Sequence, residues 1–164
     1  MMGAGKTTIG RELATLTGWP YYDNDELLEH ATGVTARDLL ATRGEGELRA
    51  AEAAALELGV SQPAPCIVAV AAGTIEDPRL RGLLKREATV IWLRADPHTL
   101  SNRASGAAPR PWLSGAAEQW LTETAGRRAG LYADTANLSV ETDAMSPGET
   151  AALIAERLSL PSAP

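Results

Sequence analysis

MMGAGKTTIGREL, the segment formed by residues 1–13, decides which fold the rest of the chain can adopt. Its run Gly3–Thr8 matches the end of the pattern G-x-x-x-x-G-K-[ST], and the pattern of an amphipathic helix follows at once. A glycine-rich turn that enters a helix offers backbone N–H groups to phosphate oxygens, while a lysine adds a cation and a threonine adds a ligand for Mg2+. The segment therefore predicts a phosphate-binding loop, with a chance glycine-rich helix start as the alternative.

The phosphate-binding pattern is incomplete on its N-terminal side. Its first glycine would fall one residue before Met1, and a strand normally leads into such a loop. We expect roughly 8–10 further residues, mainly apolar and ending in glycine, ahead of Met1 in the native chain. A naturally shortened chain of low activity is the alternative.

The composition is that of one globular domain spanning residues 1–164. Apolar residues make up 45% and charged residues 22% of the chain, and the net charge of −6 disfavours nucleic acid as a partner. No apolar run approaches the about 20 residues that cross a bilayer. Cys66 is the single cysteine, as is typical of proteins from a reducing compartment. We therefore expect a cytoplasmic monomer without a nucleic-acid or membrane partner.

Short apolar runs alternate with helical patterns along the chain, which indicates an α/β fold with a parallel sheet. The predicted strands are Pro20–Tyr22, Cys66–Val70, Thr89–Leu93 and Asn137–Val140. The predicted helices are Lys6–Thr17, Glu26–Thr32, Thr35–Thr42, Gly46–Leu58, Pro78–Lys85, Pro97–Ala104, Ala116–Gly130 and Pro147–Leu158. Residues 105–115 (SGAAPRPWLSG) lie between the predicted helices Pro97–Ala104 and Ala116–Gly130. They are rich in small residues and proline, which predicts a mobile loop.

Two carboxylates stand where the first predicted strand ends, in the run Tyr21-Tyr22-Asp23-Asn24-Asp25. Ligands of parallel α/β sheets bind at this edge, beside the phosphate-binding loop. One carboxylate could anchor Mg2+ through water, and the other could accept a proton from a substrate hydroxyl. The alternative is that Asn24 or Asp25 only caps the following helix.

Four arginines are placed where they could bind an anion: Arg49, Arg103, Arg110 and Arg128. For Arg49 the alternative is an ion pair with Glu52, three residues further along the helix. Arg128 lies near the end of a predicted helix, where the helix dipole alone favours a cation. Arg103 and Arg110 flank or lie in the predicted mobile loop, and an arginine that closes over a transferred phosphoryl group would stabilise its charge.

These motifs, in this order, resemble those of the shikimate kinase family. The matching runs are G-A-G-K-T-T-I-G-R-E-L-A, Y-Y-D-N-D-E-L-L-E, G-E-G-E-L-R-A-A-E, R-P-W-L and R-R-A-G-L-Y-A-D-T-A, and together they span essentially the whole chain. The resemblance implies a three-layer α/β/α P-loop fold with a parallel sheet of order 2-3-1-4-5 and a lid at about residues 105–115. Strand 1 of that sheet would be largely missing from the chain as it stands.

The resemblance also implies ATP as phosphoryl donor, with Mg2+. Gly3, Ala4, Gly5, Lys6, Thr7 and Thr8 would form the ATP-binding loop, and Thr7 and Asp23 would hold the metal. Arg103 would lie near the adenine, and Arg110 would enter with the lid.

On the acceptor side, the resemblance implies phosphorylation of the 3-hydroxyl of shikimate. Asp25 would bind the substrate hydroxyls and help to deprotonate the attacking one, so that Lys6, Asp25 and Arg110 would be the catalytic residues. Ala72 and Gly73 would line the substrate site. Arg49 and Arg128 would hold the substrate carboxylate, a natural use of forked guanidinium donors.

One departure from the family pattern bears on the acceptor. The family has three glycines after its third strand, whereas this chain has Ala71-Ala72-Gly73, and a methyl group there could block close approach or forbid a positive φ. Two alternative functions therefore stay open: a kinase for another small carboxylated polyol such as gluconate, and a non-catalytic nucleotide-binding protein.

Overall fold

The computed structural model describes residues 3–106 and 117–163. Its helices are α1 (Lys6–Thr17), α2 (Asn24–Thr32), α3 (Ala36–Val60), a 3-10 helix (Ala72–Glu76), α4 (Pro78–Glu87), α5 (Pro97–Gly106), α6 (Ala117–Thr135) and α7 (Pro147–Arg157). Its strands are β1 (Tyr21–Asp23), β2 (Ile67–Ala69), β3 (Ile91–Arg94) and β4 (Leu138–Glu141). The alternation of strands and helices predicted from the sequence is confirmed.

The strands form two parallel pairs. β1 pairs with β2, with Tyr21 opposite Ile67, and β3 pairs with β4, with Ile91 opposite Leu138. Within the described residues no ladder joins β2 to β3. The two pairs are the outer parts of the expected sheet, and the position of its central strand lies between β2 and β3.

A large cleft occupies that central position. It has a volume of about 480 Å³ and is partly open to solvent. Apolar side chains from both strand pairs and from the helices on either side line it, among them Ile9, Leu13, Val68, Leu93 and Ile154. The cleft is therefore shaped and lined like a slot for an apolar strand.

Helices pack on the strands from both sides. On one side, Ile9 and Leu13 of α1 pack with Ala151 and Ile154 of α7 in one apolar cluster. A second cluster joins α3 to α4 through Leu56, Leu80 and Leu84, and a third places Leu100 of α5 against Ala4. The first and third of these clusters hold α1 and the loop at its N-terminus in place.

Two helices differ most from the sequence prediction, while the bounds of α2, α4 and α5 shift by two residues and the 3-10 helix was not predicted. The segments predicted as Thr35–Thr42 and Gly46–Leu58 form one helix, α3, interrupted only at Gly44, whose φ of 84° is not helical. α6 continues beyond the predicted end at Gly130 to Thr135, because a glycine on an exposed helix position costs only about 1 kcal/mol. Arg128 therefore lies inside α6 and not at its end. Among the described residues no helix is both long and apolar enough to span a membrane.

Candidate phosphate and substrate site

The loop before α1 has the backbone of a phosphate-binding turn. Gly3 and Gly5 have φ of 77° and 85°, in the left-handed region that favours glycine. A Cβ at Gly3 would also lie 2.6 Å from the carbonyl oxygen of Leu100. No side chain among the described residues caps α1, whose first residue is Lys6. A helix N-terminus without a side-chain cap is a position where an anion can bind.

Thr7 and Asp23 join the phosphate-binding loop to the carboxylate pair. The Thr7 hydroxyl donates a hydrogen bond of 2.9 Å to Oδ2 of Asp23, which is 8% exposed. Oδ1 of Asp23 accepts the backbone N–H of Asp25 at 3.0 Å and so caps α2. The predicted pairing of loop and carboxylate is present, but the cap is Asp23 and not Asn24 or Asp25. The prediction erred because α2 begins at Asn24, two residues earlier than predicted, so the extended residue before the helix is Asp23.

Tyr21 adds a contact that was not predicted. Its hydroxyl donates to the same Oδ2 of Asp23 at 2.7 Å. Burial, followed by the contact with Asp23, raises the pKa of Tyr21 well above its ordinary value, so the phenol stays protonated and donates at neutral pH. Residues two apart in a strand lie on the same face, so the spacing of Tyr21 and Asp23 in β1 is a local signal that could have indicated the bond.

Asp25 lies at the second position of α2, and its side chain is exposed. It is two residues beyond the end of β1 and follows the buried Asp23 and Asn24. Asp25 thus follows the strand end where Asp23 contacts the phosphate-binding loop. Its role toward a substrate hydroxyl stays a prediction.

Arg49 lines a pocket of about 360 Å³ between α3, the 3-10 helix and α4. It donates to Glu52 at 2.7 Å and to Glu45 at 3.0 Å, so the ion pair predicted as the alternative exists. Burial opposes its charge, but the bonds to Glu52 and Glu45 raise the pKa of Arg49. The side chain of Arg49 is still 38% exposed in the pocket wall. The ion pairs therefore fix the guanidinium in place and leave it accessible to a ligand.

Gly73 makes room for Arg49. A Cβ built on Gly73 would lie 1.9 Å from Nη1 and 2.6 Å from Cζ of Arg49. Any side chain at position 73 would therefore push the guanidinium out of its present place, which explains the glycine without any requirement on its φ.

Ala71 and Ala72 do not strain the backbone. Ala71 has a φ of −58°, and Ser159 is the one non-glycine residue with positive φ among those described. The carbonyl oxygen of Ala72 accepts the Tyr132 hydroxyl at 3.1 Å, which ties the 3-10 helix to α6. The replacement of two glycines thus leaves ordinary backbone geometry at this wall of the pocket.

Arg128 reaches the same wall from α6. Its side chain is 7% exposed, and its Nε donates to Oε1 of Glu76 at 3.0 Å. Arg127 donates to the same oxygen at 3.2 Å. The hydrogen bond from Arg128 lowers the pKa of Glu76, which keeps this carboxylate charged. Glu76 also lines the pocket of Arg49, so the structure brings both predicted arginines to one region. Glu76 was missed because nothing in the sequence pairs it with α6.

Arg103 of α5 is anchored to the end of β4. It donates to the hydroxyl of Thr142 at 3.1 Å and to the carbonyl oxygen of Thr142 at 2.8 Å. Arg110 and most of the predicted lid fall outside the described residues. Within the described residues no three His, Cys, Asp or Glu side chains cluster as a metal centre would need.

Three features together define a P-loop phosphotransferase. They are the parallel α/β fold, the glycine-rich loop at the N-terminus of α1, and the Asp23 carboxylate that accepts a hydrogen bond from Thr7. A family model described as shikimate kinase matches residues 2–159. The shikimate kinase of Symbiobacterium thermophilum is 37% identical over 164 aligned residues, which cover 96% of this chain and 92% of that protein. That of Cupriavidus pinatubonensis is 33% identical, with 98% of this chain and 83% of that protein covered.

Solved structures agree with these sequence matches. The shikimate kinase of Acinetobacter baumannii in complex with shikimate aligns with a TM-score of 0.88 and 31% identity, covering 96% of this chain and 89% of that one. The structure of the Bacteroides thetaiotaomicron enzyme, at 24% identity and a TM-score of 0.86, supports the fold alone. The chain belongs to the shikimate kinase family. It is thus an ATP-dependent phosphotransferase that acts on an alcohol group.

Proposed function

We propose that this protein transfers the γ-phosphoryl group of ATP to the 3-hydroxyl of shikimate, with the two substrates bound on either side of Asp25. The observation that carries the proposal is the pocket of about 360 Å³ that contains Arg49, because a carboxylated substrate needs forked cationic donors on its wall. The family membership and the shikimate complex of the Acinetobacter baumannii relative support it. As the sequence suggests, we expect the protein to act in the cytoplasm as a monomer.

On the nucleotide side, the N–H groups of Gly3–Thr8 would bind the phosphates and Lys6 would neutralise the charge that develops on the transferred group. Arg103, held by Thr142, would lie beside the adenine. Arg110 would close over the phosphates with the lid.

The residues present fit a magnesium ion carried by the nucleotide. Thr7 uses its single O–H group to donate a hydrogen bond to Asp23, so the lone pairs of Thr7 Oγ1 remain for a cation. Hydroxyl and carboxylate oxygens are ligands that Mg2+ prefers, directly or through water. When bound, the ion would offset phosphate charge, and Thr7 and Asp23 would hold it.

On the acceptor side, Asp25 would hydrogen-bond the substrate hydroxyls and accept a proton from the attacking one. Arg49 and Arg128 would bind the carboxylate, and the 3-10 helix from Ala72 to Gly73 would form the floor. In this arrangement positioning and charge neutralisation, more than covalent chemistry, lower the barrier.

Substitution of Arg49 and of Gly73 tests the acceptor site. Arg49→Ala should weaken shikimate binding by about 10- to 100-fold, the loss of hydrogen bonds to a charged group, while ATP affinity stays nearly intact. Gly73→Ala should weaken shikimate binding in the same direction, because the new methyl group displaces the Arg49 guanidinium. Both affinities can be measured by isothermal titration calorimetry.

Two control variants separate this effect from a general one. Arg79→Ala removes an exposed ion pair with Glu57 on the surface, and Gly148→Ala adds a methyl group where no atom lies within 4 Å. Both should bind shikimate like the wild type. If Arg49→Ala also binds shikimate normally, Arg49 serves only its ion pairs with Glu45 and Glu52.

A further inference from the structure

Both oxygens of the Asp23 carboxylate are held, and one of them is held twice. Oδ1 accepts the N–H of Asp25 at 3.0 Å. Oδ2 accepts the hydroxyl of Thr7 at 2.9 Å and that of Tyr21 at 2.7 Å. The carboxylate therefore meets the Thr7 hydroxyl at a fixed angle, with Tyr21 bracing the same oxygen from β1.

The place of the Tyr21 ring is itself determined by α1. A Cβ at Gly10 would lie 2.5 Å from Cε2 of Tyr21, so the glycine leaves the space that the ring occupies. The guanidinium of Arg11 lies 5.8 Å from the centre of the ring. The ring is thus packed on the helix that begins with the phosphate-binding loop, and its hydroxyl reaches Asp23 as a consequence.

We propose that Tyr21 is a positioning residue: through Asp23, its hydroxyl sets the orientation in which Thr7 presents its oxygen to the Mg2+ of the nucleotide. A threonine hydroxyl has one proton and two lone pairs. The direction of the O–H bond of Thr7 decides where its lone pairs point. Asp23 Oδ2 fixes that direction because it accepts the hydrogen bond. Without the Tyr21 hydroxyl, Oδ2 of Asp23 would accept a hydrogen bond only from Thr7. The carboxylate and the Thr7 hydroxyl could then change orientation together.

This inference rests on the proposed role of Thr7 and Asp23 toward Mg2+. Hydrogen-bond partners of metal ligands typically change metal affinity by about 10- to 100-fold when they are removed. Since Tyr21→Phe removes one such bond and keeps the ring, we expect about a tenfold rise in the Mg2+ concentration that half-saturates its effect on ADP binding. The affinity for ADP without Mg2+ should not change.

The experiment is calorimetric titration of ADP into the protein over a series of Mg2+ concentrations, which needs no catalytic turnover. Tyr22→Phe is the matched control, because it removes the neighbouring hydroxyl from the same strand and should leave the Mg2+ dependence unchanged. Asp23→Asn tests the metal site itself and should show a larger shift than Tyr21→Phe.

The outcomes distinguish the proposed metal site from the proposed positioning role of Tyr21. If Asp23→Asn shifts the Mg2+ dependence and Tyr21→Phe does not, the role of Tyr21 is overturned and the metal site stands. If neither variant shifts it, the metal site fails and the inference fails with it. Thermal melts of each variant show whether the fold is kept, and an equal shift for Tyr22→Phe would also overturn the inference.

Discussion

Replacement of Asp25 by asparagine is expected to lower kcat by about two to four orders of magnitude, which is the usual contribution of a positioned general base. An asparagine keeps the size and the hydrogen-bonding reach of the side chain but cannot accept the proton of the attacking hydroxyl. Because Asp25 is exposed at the start of α2 and its backbone N–H still caps onto Asp23, the fold should not change. A steady-state assay of ADP release with ATP and shikimate measures the effect.

The neighbouring acid provides the control for this variant. Glu26→Gln removes a carboxylate of similar exposure that pairs with Arg11 on the surface, and its kcat should equal that of the wild type. KM for ATP should be nearly the same in all three proteins. An Asp25→Asn enzyme with wild-type kcat would show that the second carboxylate has no part in the proton transfer.

An apolar strand joined to the N-terminus is expected to raise the melting temperature by about 10 °C or more. The cleft between β2 and β3 is lined by apolar side chains, and neither strand pairs across it within the described residues. Each Val, Leu or Ile side chain buried there contributes about 1.5–3 kcal/mol, and backbone hydrogen bonds add to this on both sides. For a domain of this size, each kcal/mol raises the melting temperature by roughly 2–4 °C.

The variant is designed from the chemistry of a central parallel strand. Such strands are buried on both faces and are almost continuously apolar, so the extension should contain about five Val, Ile or Leu residues followed by glycine before Met1. An extension of equal length made only of Gly and Ser is the matched control. Differential scanning calorimetry compares the two, and equal melting temperatures would show that the cleft does not accept a strand.

The same extension should also increase activity. α1 carries the phosphate-binding loop, and Ala4 lies both in the cleft wall and against Leu100. A strand that fills the cleft would hold this loop from the side of β2 and from the side of β3. We therefore expect a lower KM for ATP with the apolar extension than with the Gly/Ser extension.

Much of the fold could be predicted because each element carries its own local signal. The helix Lys6–Thr17 was predicted with its observed bounds, since glycines stand at both of its ends. A break between Thr42 and Gly46 was predicted, and the structure limits it to Gly44. The end of α6 was predicted five residues early because packing around Thr135, which is 3% exposed, outweighs the low helix propensity of Gly130.

Residues of the site could be predicted only where they belong to a recognisable sequence motif. Lys6, Thr7, Asp23 and Arg49 were predicted in this way, and in the structure the Thr7 hydroxyl donates a hydrogen bond to Asp23. Two contacts were missed: Tyr21 on Asp23, two residues apart on one face of β1, and Glu76 on Arg128, which joins the 3-10 helix to α6. The second contact depends on the orientation of one element over another, which no local pattern contains.

The central claim is that the chain phosphorylates shikimate, and a substrate panel tests it most directly. ATP is supplied with shikimate, with gluconate and with other small carboxylated polyols, and transfer is followed by phosphorus NMR of the products. Both the chain as printed and the chain with the apolar extension are assayed. We predict transfer to the 3-hydroxyl of shikimate and to no other compound of the panel. Transfer to gluconate but not to shikimate, or ATP binding without transfer to any acceptor, would contradict the account.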